Sequence, residues 1–197
     1  MRNLLHVQWT IIALAPPRPW LDCSGCGTSR PFQYSGRTRL NANGKRIDAW
    51  LIYKCATCEQ TWNRPIFERR TVGSVEPAVL EALHANDADW TRHQAFDLTA
   101  LRLRSGHVEL SDDVEIHKTP LSDGPGTGAT LHISMAVPYI TGLRLDRLLA
   151  TELGLPRSRL KALHRSGALR IEPDQTSMLR RPVRDGCQVT LDHAAIG

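Results

Sequence analysis

Four of the five cysteines form two close pairs, Cys23-x-x-Cys26 and Cys55-x-x-Cys58, with 28 residues between the pairs. A C-x-x-C turn brings two thiolates to one side of the backbone. Two such turns supply the corners of a tetrahedron around Zn²⁺, at roughly 2.3 Å per sulfur. With cysteine at every corner no coordination position stays open, so one zinc ion is expected, in a structural role. Three other uses of paired cysteines fit less well. A redox C-x-x-C precedes a helix in a βαβ unit, a context missing here. An iron–sulfur cluster also takes four thiolates, but strand-rich surroundings favour zinc. Disulfides belong to exported chains, and the opening stretch Met1–Ala15 reads as a strand rather than a signal peptide. His6, Gln8 and Thr10 break its apolar run, and Pro16-Pro17 replace a small-residue cleavage site. Cys187 stands apart and is expected to pack as a small apolar residue, outside the metal set.

The residues around the two pairs read as β-structure. Phe32 to Leu40 is a strand, Asn43-Gly44 a hairpin turn, and Asp48 to Lys54 an alternating strand running into the second pair. Thr61 to Phe67 is a third strand, with Pro65 tolerable only at a sheet edge. Three antiparallel strands around four cysteines describe a zinc ribbon, expected over residues 1–70 with a preceding strand. Arg37, Arg39, Lys45 and Arg46 cluster near the hairpin tip, with Trp50, Tyr53 and Trp62 interleaved. Phosphate binding and simple solvation of the hairpin both account for the charges. The aromatics are expected in the small core.

The run from Arg39 to Cys55, Arg-Leu-Asn-Ala-Asn-Gly-Lys-Arg-Ile-Asp-Ala-Trp-Leu-Ile-Tyr-Lys-Cys, follows Cys23-x-x-Cys26-Gly27 and precedes Thr61-Trp62-Asn63. This text resembles a bacterial family known only as a domain of unknown function. That resemblance covers most of the chain and implies no activity.

Charge divides the 197 residues unevenly. Residues 23–70 carry nine Lys/Arg against three Asp/Glu, residues 71–140 four against ten, and residues 141–197 ten against six. Two basic blocks flank an acidic middle, a distribution suited to a polyanionic partner. The middle, 71–140, is expected to be α+β. It reads as a helix from Glu76 to Ala85, a second capped by Asn86 or Asp87 and reaching about Arg104, then strands at Val108–Leu110, Val114–His117 and Leu131–Val137. Gly124 to Gly128 reads as a connection, since it lacks the lysine of a phosphate-binding loop. His107-Val108-Glu109 imitates the H-x-E of zinc deaminases, but in that signature the cysteine pair follows, whereas here both precede. With no H-E-x-x-H and no G-x-S-x-G either, a non-catalytic protein is expected. No apolar run approaches the ~20 residues of a membrane span, and the cytoplasm is the expected location.

From Leu143 the pattern becomes helical. Leu145, Leu148, Leu149 and Leu153 make one buried stripe, with Arg144 and Arg147 away from it, and Gly154 ends the helix. The next helix, Pro156 to about Arg165, buries Leu160 and Leu163. It carries Arg157, Arg159, Lys161 and Arg165 with no acid. Arg157, Lys161 and Arg165 are successively four apart and form a continuous positive stripe. Like charges at that spacing cost ~0.2–0.5 kcal/mol per pair, so local helix stability does not explain them, whereas a bound polyanion does. Ala168–Ile171 and Gln188–Leu191 read as strands.

This module resembles the S-four RNA-binding domain. The likeness lies in Arg144-Leu145-Asp146-Arg147-Leu148-Leu149-Ala150, Leu153 to Lys161, Ser166-Gly167-Ala168 and Val183-Arg184-Asp185-Gly186. The resemblance implies an αα-ββ module over 141–197 and RNA contacts at Arg144, Arg147, Arg157, Ser158, Arg159, Lys161 and Arg165. It departs from the pattern at Pro156, at Glu172-Pro173-Asp174 and at Cys187. The combined expectation is an α+β, zinc-containing protein that binds structured RNA, ribosomal or transfer, in translation or stress response, with the ribosome as one possible partner and no small-molecule substrate. A DNA-binding or polymerase-associated regulator acting through the ribbon, and a protein-interaction adaptor, are the alternatives.

Overall fold

The computed structural model describes residues 4–121, 130–173 and 178–192. Among these it forms ten strands: β1 (Leu4–Ala13), β2 (Arg18–Cys23), β3 (Thr28–Asn43), β4 (Arg46–Cys55), β5 (Thr61–Thr71), β6 (Val108–Glu109), β7 (Val114–Pro120), β8 (Thr130–Ala136), β9 (Leu169–Glu172) and β10 (Gln188–Asp192). Five α-helices accompany them: α1 (Pro77–Ala85), α2 (Ala88–Ala95), α3 (Leu98–Arg102), α4 (Leu145–Leu153) and α5 (Arg157–Ser166). The fold class is mixed α+β, as expected. The Gly124–Gly128 connection lies outside the described residues. No described helix is long and apolar enough to cross a membrane.

The chain divides into two compact units. One is Pro16–Leu110, and the other joins the segment ending at Ala15 to the chain from Ser111 onward. The expected segments 1–70, 71–140 and 141–197, drawn from motifs and charge along the sequence, do not coincide with these units. Charge follows the surface, whereas the division follows strand pairing between residues far apart in sequence. The opening strand is the clearest case: β1 pairs antiparallel with β7 and parallel with β8. It therefore belongs with the C-terminal helices rather than with the cysteines.

In the Pro16–Leu110 unit the sheet order is β5-β4-β3-β2-β6, antiparallel throughout. Two strands beyond the expected three extend it, and Pro65 sits on edge strand β5, where a proline is tolerated. Alternation along β4 buries Ile47, Ala49, Leu51, Tyr53 and Cys55, which turns Asp48, Trp50, Ile52 and Lys54 to the other face. Phe32, Leu51 and Tyr53 pack with Ala95 of α2 and Leu101 of α3. The long second helix expected up to Arg104 is instead two helices. Asp97 accepts the Ala100 N–H at 2.9 Å, capping α3 and ending the path of α2. Asn86 does not cap the start of α2 either. It closes α1 in the left-handed conformation, and Asp87 is the N-cap.

β3 contains an irregularity. The register shifts between Tyr34, opposite Tyr53, and Arg37, opposite Ile52, with Ser35 and Gly36 as the extra residues. Gly36 has φ +78 and Ser35 Oγ donates to Ile52 O at 2.8 Å. One arginine is buried here. Arg64, 2% exposed, donates to Gln94 O at 2.5 Å, in the last turn of α2. Burial pushes its pKa down, while the negative end of the helix dipole favours its charge.

In the other unit the sheet order is β7-β1-β8-β10-β9. Trp9, Ile11, Ile133, Val189 and Leu191 share a core with Leu145, Leu148 and Leu149 of α4 and Leu160 and Leu163 of α5. Gly154 and Gly167 end the two helices at φ +66 and +78, as the sequence pattern required.

Candidate functional site

The four paired cysteines converge. β2 ends on Cys23 and β4 ends on Cys55, so strand geometry delivers one sulfur from each, and the tight turns that follow return Cys26 and Cys58 to the same point. The two turns share a backbone pattern. Gly27 N–H donates to Cys23 O at 2.8 Å, and Glu59 N–H donates to Cys55 O at 3.0 Å. Gly27 and Glu59, each just after the second cysteine of its pair, have φ of 66 and 60. Glycine meets that requirement in the first turn, while Glu59 tolerates it in the second.

All four Sγ atoms lie within 4.8 Å of one another. Cys23 and Cys58 are 3.4 Å apart and Cys26 and Cys55 3.9 Å, both far beyond a disulfide bond. A tetrahedron of sulfurs at ~2.3 Å from Zn²⁺ has edges of about 3.8 Å, so the cluster has the dimensions of a four-thiolate metal site. Gly25 adds a steric test. A Cβ there would meet Cys58 Sγ at 3.0 Å and Cys23 Sγ at 3.9 Å, so this glycine makes room for sulfur rather than supplying positive φ. Thiol acidity differs across the cluster. Burial opposes ionisation of Cys55, but N–H groups of Cys58 and Thr57 aimed at its sulfur outweigh burial and hold its pKa down at about 6. Cys26 is pushed up to about 12, first by its hydrogen bond with Cys58, then by burial and the other sulfurs. Four thiolates this close repel, and a divalent cation removes that repulsion. Cys187 is buried in the core of the other unit and takes no part.

The basic residues distribute differently. Arg144 makes a two-bond pair with Asp146, at 3.1 and 2.6 Å, and Asp146 is 2% exposed. Arg147 is paired with Asp112. Acids on the same unit therefore engage both cations of α4. On α5, Arg157, Ser158, Arg159, Lys161 and Arg165 are all exposed, and Arg157, Lys161 and Arg165 form no ion pair with a described residue. Ser158, Lys161, His164 and Arg165 share a cleft of about 560 Å³ with Met178, Leu179 and Arg180. Arg180 was not among the expected contacts; the Arg180-Arg181 run is the sequence signal for it.

The patch in the cysteine-bearing unit also differs in membership. Arg37 and Arg39 lie on one sheet face with Lys54, while Lys45 sits in the hairpin turn itself and Arg46 opens β4. Of the aromatics, Tyr53 and Trp62 pack edge-on in the core, their centroids 5.3 Å apart, but Trp50 does not join them. Alternation places Trp50 on the outer face, beneath Arg39 at 6.0 Å, with its ring N–H donated to Glu68 at 3.2 Å.

Fold and site together define a mixed α+β protein with a four-cysteine cluster able to hold a metal ion. Its family follows from comparison: a family of proteins of unknown function, DUF1062, matches residues 40–175. The chain belongs to that family. The matched stretch includes Cys55, Cys58 and all of α5. Neither a curated protein nor a solved structure matches the chain.

Proposed function

We propose that this is a non-catalytic RNA-binding protein of the cytoplasm, with one structural zinc ion in a zinc-ribbon-like site and with α5 of an S-four-like module as its principal RNA contact. The observation that carries the reading is the contrast between the two helices. Arg144 and Arg147 are neutralised by Asp146 and Asp112, while Arg157, Lys161 and Arg165 project from α5 with no ion pair to a described acid. Leu160 and Leu163 anchor the opposite side of α5, so the stripe is held outward by the core. A self-repelling row presented this way suits phosphates. Arg180 across the cleft adds a further cation. Structured RNA, ribosomal or transfer, is the proposed partner. The metal residues Cys23, Cys26, Cys55 and Cys58 hold the fold and do no chemistry.

Binding is tested by fluorescence anisotropy on a structured ribosomal RNA fragment across a salt series. Arg157→Ala with Lys161→Ala is expected to weaken binding and to lower the log K–log salt slope by roughly two. Arg102→Ala with Arg104→Ala removes equal exposed charge elsewhere and is expected to matter less. Equal binding by the two double variants at every salt concentration would refute the reading and favour a protein-interaction adaptor.

A further inference from the structure

The outer face of the β3–β4–β5 sheet carries positive charge that α5 does not account for. Cross-strand register sets Arg37 beside Ile52 and Asn63, Arg39 beside Trp50 and Pro65, and Lys54 beside Thr61. Arg37, Arg39 and Lys54 line a shallow cleft of about 660 Å³ with Ser35, Thr61 and Asn63. No acid is among its lining residues, and the three cations form no ion pair with a described residue. Two acids, Asp48 and Glu68, lie on this face outside the cleft lining; Glu68 accepts from Trp50 and Asp48 from the Arg69 N–H, and neither pairs with the three cations.

We propose that this face binds the phosphate backbone of single-stranded RNA, as a second contact surface separate from α5; the proposal rests on the RNA-binding reading above. Arg37 and Arg39 stand two residues apart on one strand, about 7 Å, on the same face. Two like charges at that spacing repel rather than attract, so the pair does not stabilise the strand. The backbone around Arg37 is also fixed. The Asn86 side chain donates to Gly36 O at 2.9 Å and accepts from Thr38 N at 2.7 Å, gripping the peptide groups on both sides of Arg37.

The lining chooses between partners. An acidic protein would require an apolar centre to its interface, and Ile52 is the one apolar side chain lining this cleft. Nucleic-acid interfaces are polar and strongly positive. Asn63 sets a neutral hydrogen-bonding amide beside the cations, suited to the 2′-hydroxyls that DNA lacks, while Ser35 Oγ donates to Ile52 O and Thr61 Oγ1 accepts from Lys54 Nζ at 2.7 Å. An open groove with cations along one strand follows a single backbone.

The test uses the full-length, metal-loaded protein and two labelled probes, a short oligouridylate and a hairpin RNA, in salt titrations. Arg37→Ala with Arg39→Ala is expected to lower oligouridylate affinity at least tenfold at low salt and to reduce the salt slope by about 1.4, at ~0.7 per lost phosphate contact. Hairpin binding should fall less, and metal content should be unchanged. Lys54→Gln, a milder change on the same face, should reduce the slope by about 0.7. Arg37→Lys with Arg39→Lys should restore most of the slope. An unchanged oligouridylate slope in the double-alanine variant, while the α5 double variant loses the hairpin, overturns this proposal and leaves the RNA reading standing. Failure of the wild-type protein to bind either probe overturns both. Equal affinity for oligodeoxyuridylate, or equally effective competition by polyglutamate, overturns the assignment to RNA.

Discussion

Asn86 takes two hydrogen bonds from Thr38, one from the backbone N–H at 2.7 Å and one from the hydroxyl at 3.0 Å. A helix-ending residue in the left-handed conformation thereby fastens the irregular stretch of β3 to α1. Both partners would lose paired polar groups if the amide were removed.

Replacing Asn86 separates its two roles. Asn86→Gly keeps the left-handed backbone accessible but removes the three side-chain bonds to Gly36 and Thr38. A loss of about 1–3 kcal/mol in urea unfolding is expected, because Thr38 N–H is left without its acceptor. Asn86→Ala adds the cost of the positive φ and should be less stable still.

Metal content provides the most direct check of the cluster. Purified protein should contain about one zinc per chain by elemental analysis. Cys55→Ser should abolish it and unfold the Pro16–Leu110 unit locally, while the unit containing α4 and α5 stays folded. Cys187→Ala should leave zinc unchanged. Iron with a visible absorption band would replace the zinc assignment.

The two glycines of the first turn should respond differently. Gly25→Ala brings a Cβ to 3.0 Å from Cys58 Sγ and should weaken metal retention against a chelator. Gly27→Ala meets nothing within 4 Å but must adopt φ +66, so it should cost about 1–2 kcal/mol of stability with zinc still bound.

Arg147 offers a gain-of-binding test. Asp112→Asn removes the acid that engages it, on a half-exposed surface where the pair itself is worth little stability. If α4 lies beside bound RNA, the variant should bind more tightly, with the salt slope increased by up to about 0.7. An unchanged slope would place Arg147 outside the contact.

Arg64 should behave as a buried anchor. Arg64→Ala leaves a cavity and frees the Gln94 carbonyl at the end of α2, at an expected cost of about 2–4 kcal/mol. Arg64→Met refills most of the volume without a buried charge and should recover much of that loss in the same unfolding assay.

What could be read in the residues was mostly local. The cysteine spacing, the Asn43-Gly44 turn, the leucine stripes of α4 and α5 and their glycine ends all act within a few residues, and all appear in the fold. Long-range pairing left no such trace. Nothing in Leu4–Ala13 marks a parallel partner beginning at Thr130, and Arg18–Cys23 contains a proline and pairs with strands on both sides. Aromatic character alone places Trp50 in the core, but alternation decides: the apolar residues at 47, 49, 51 and 53 assign it to the opposite face. The pairing of Arg144 could be suspected from Asp146 two residues on. The pairing of Arg147 with Asp112, 35 residues earlier, could not.

The chain leaves β1 and enters β7 at neighbouring points: Ala13 stands opposite Val114, and Leu14 N–H donates to Asp113 O at 3.0 Å. The whole cysteine-bearing unit is therefore spliced into what would otherwise be a simple turn between two adjacent strands. In engineering terms Pro16–Leu110 is a cassette whose two ends already meet, replaceable by a short hairpin loop or transferable into a turn of another scaffold. In evolutionary terms the same geometry permits the cassette to be gained or lost without redrawing the sheet that receives it.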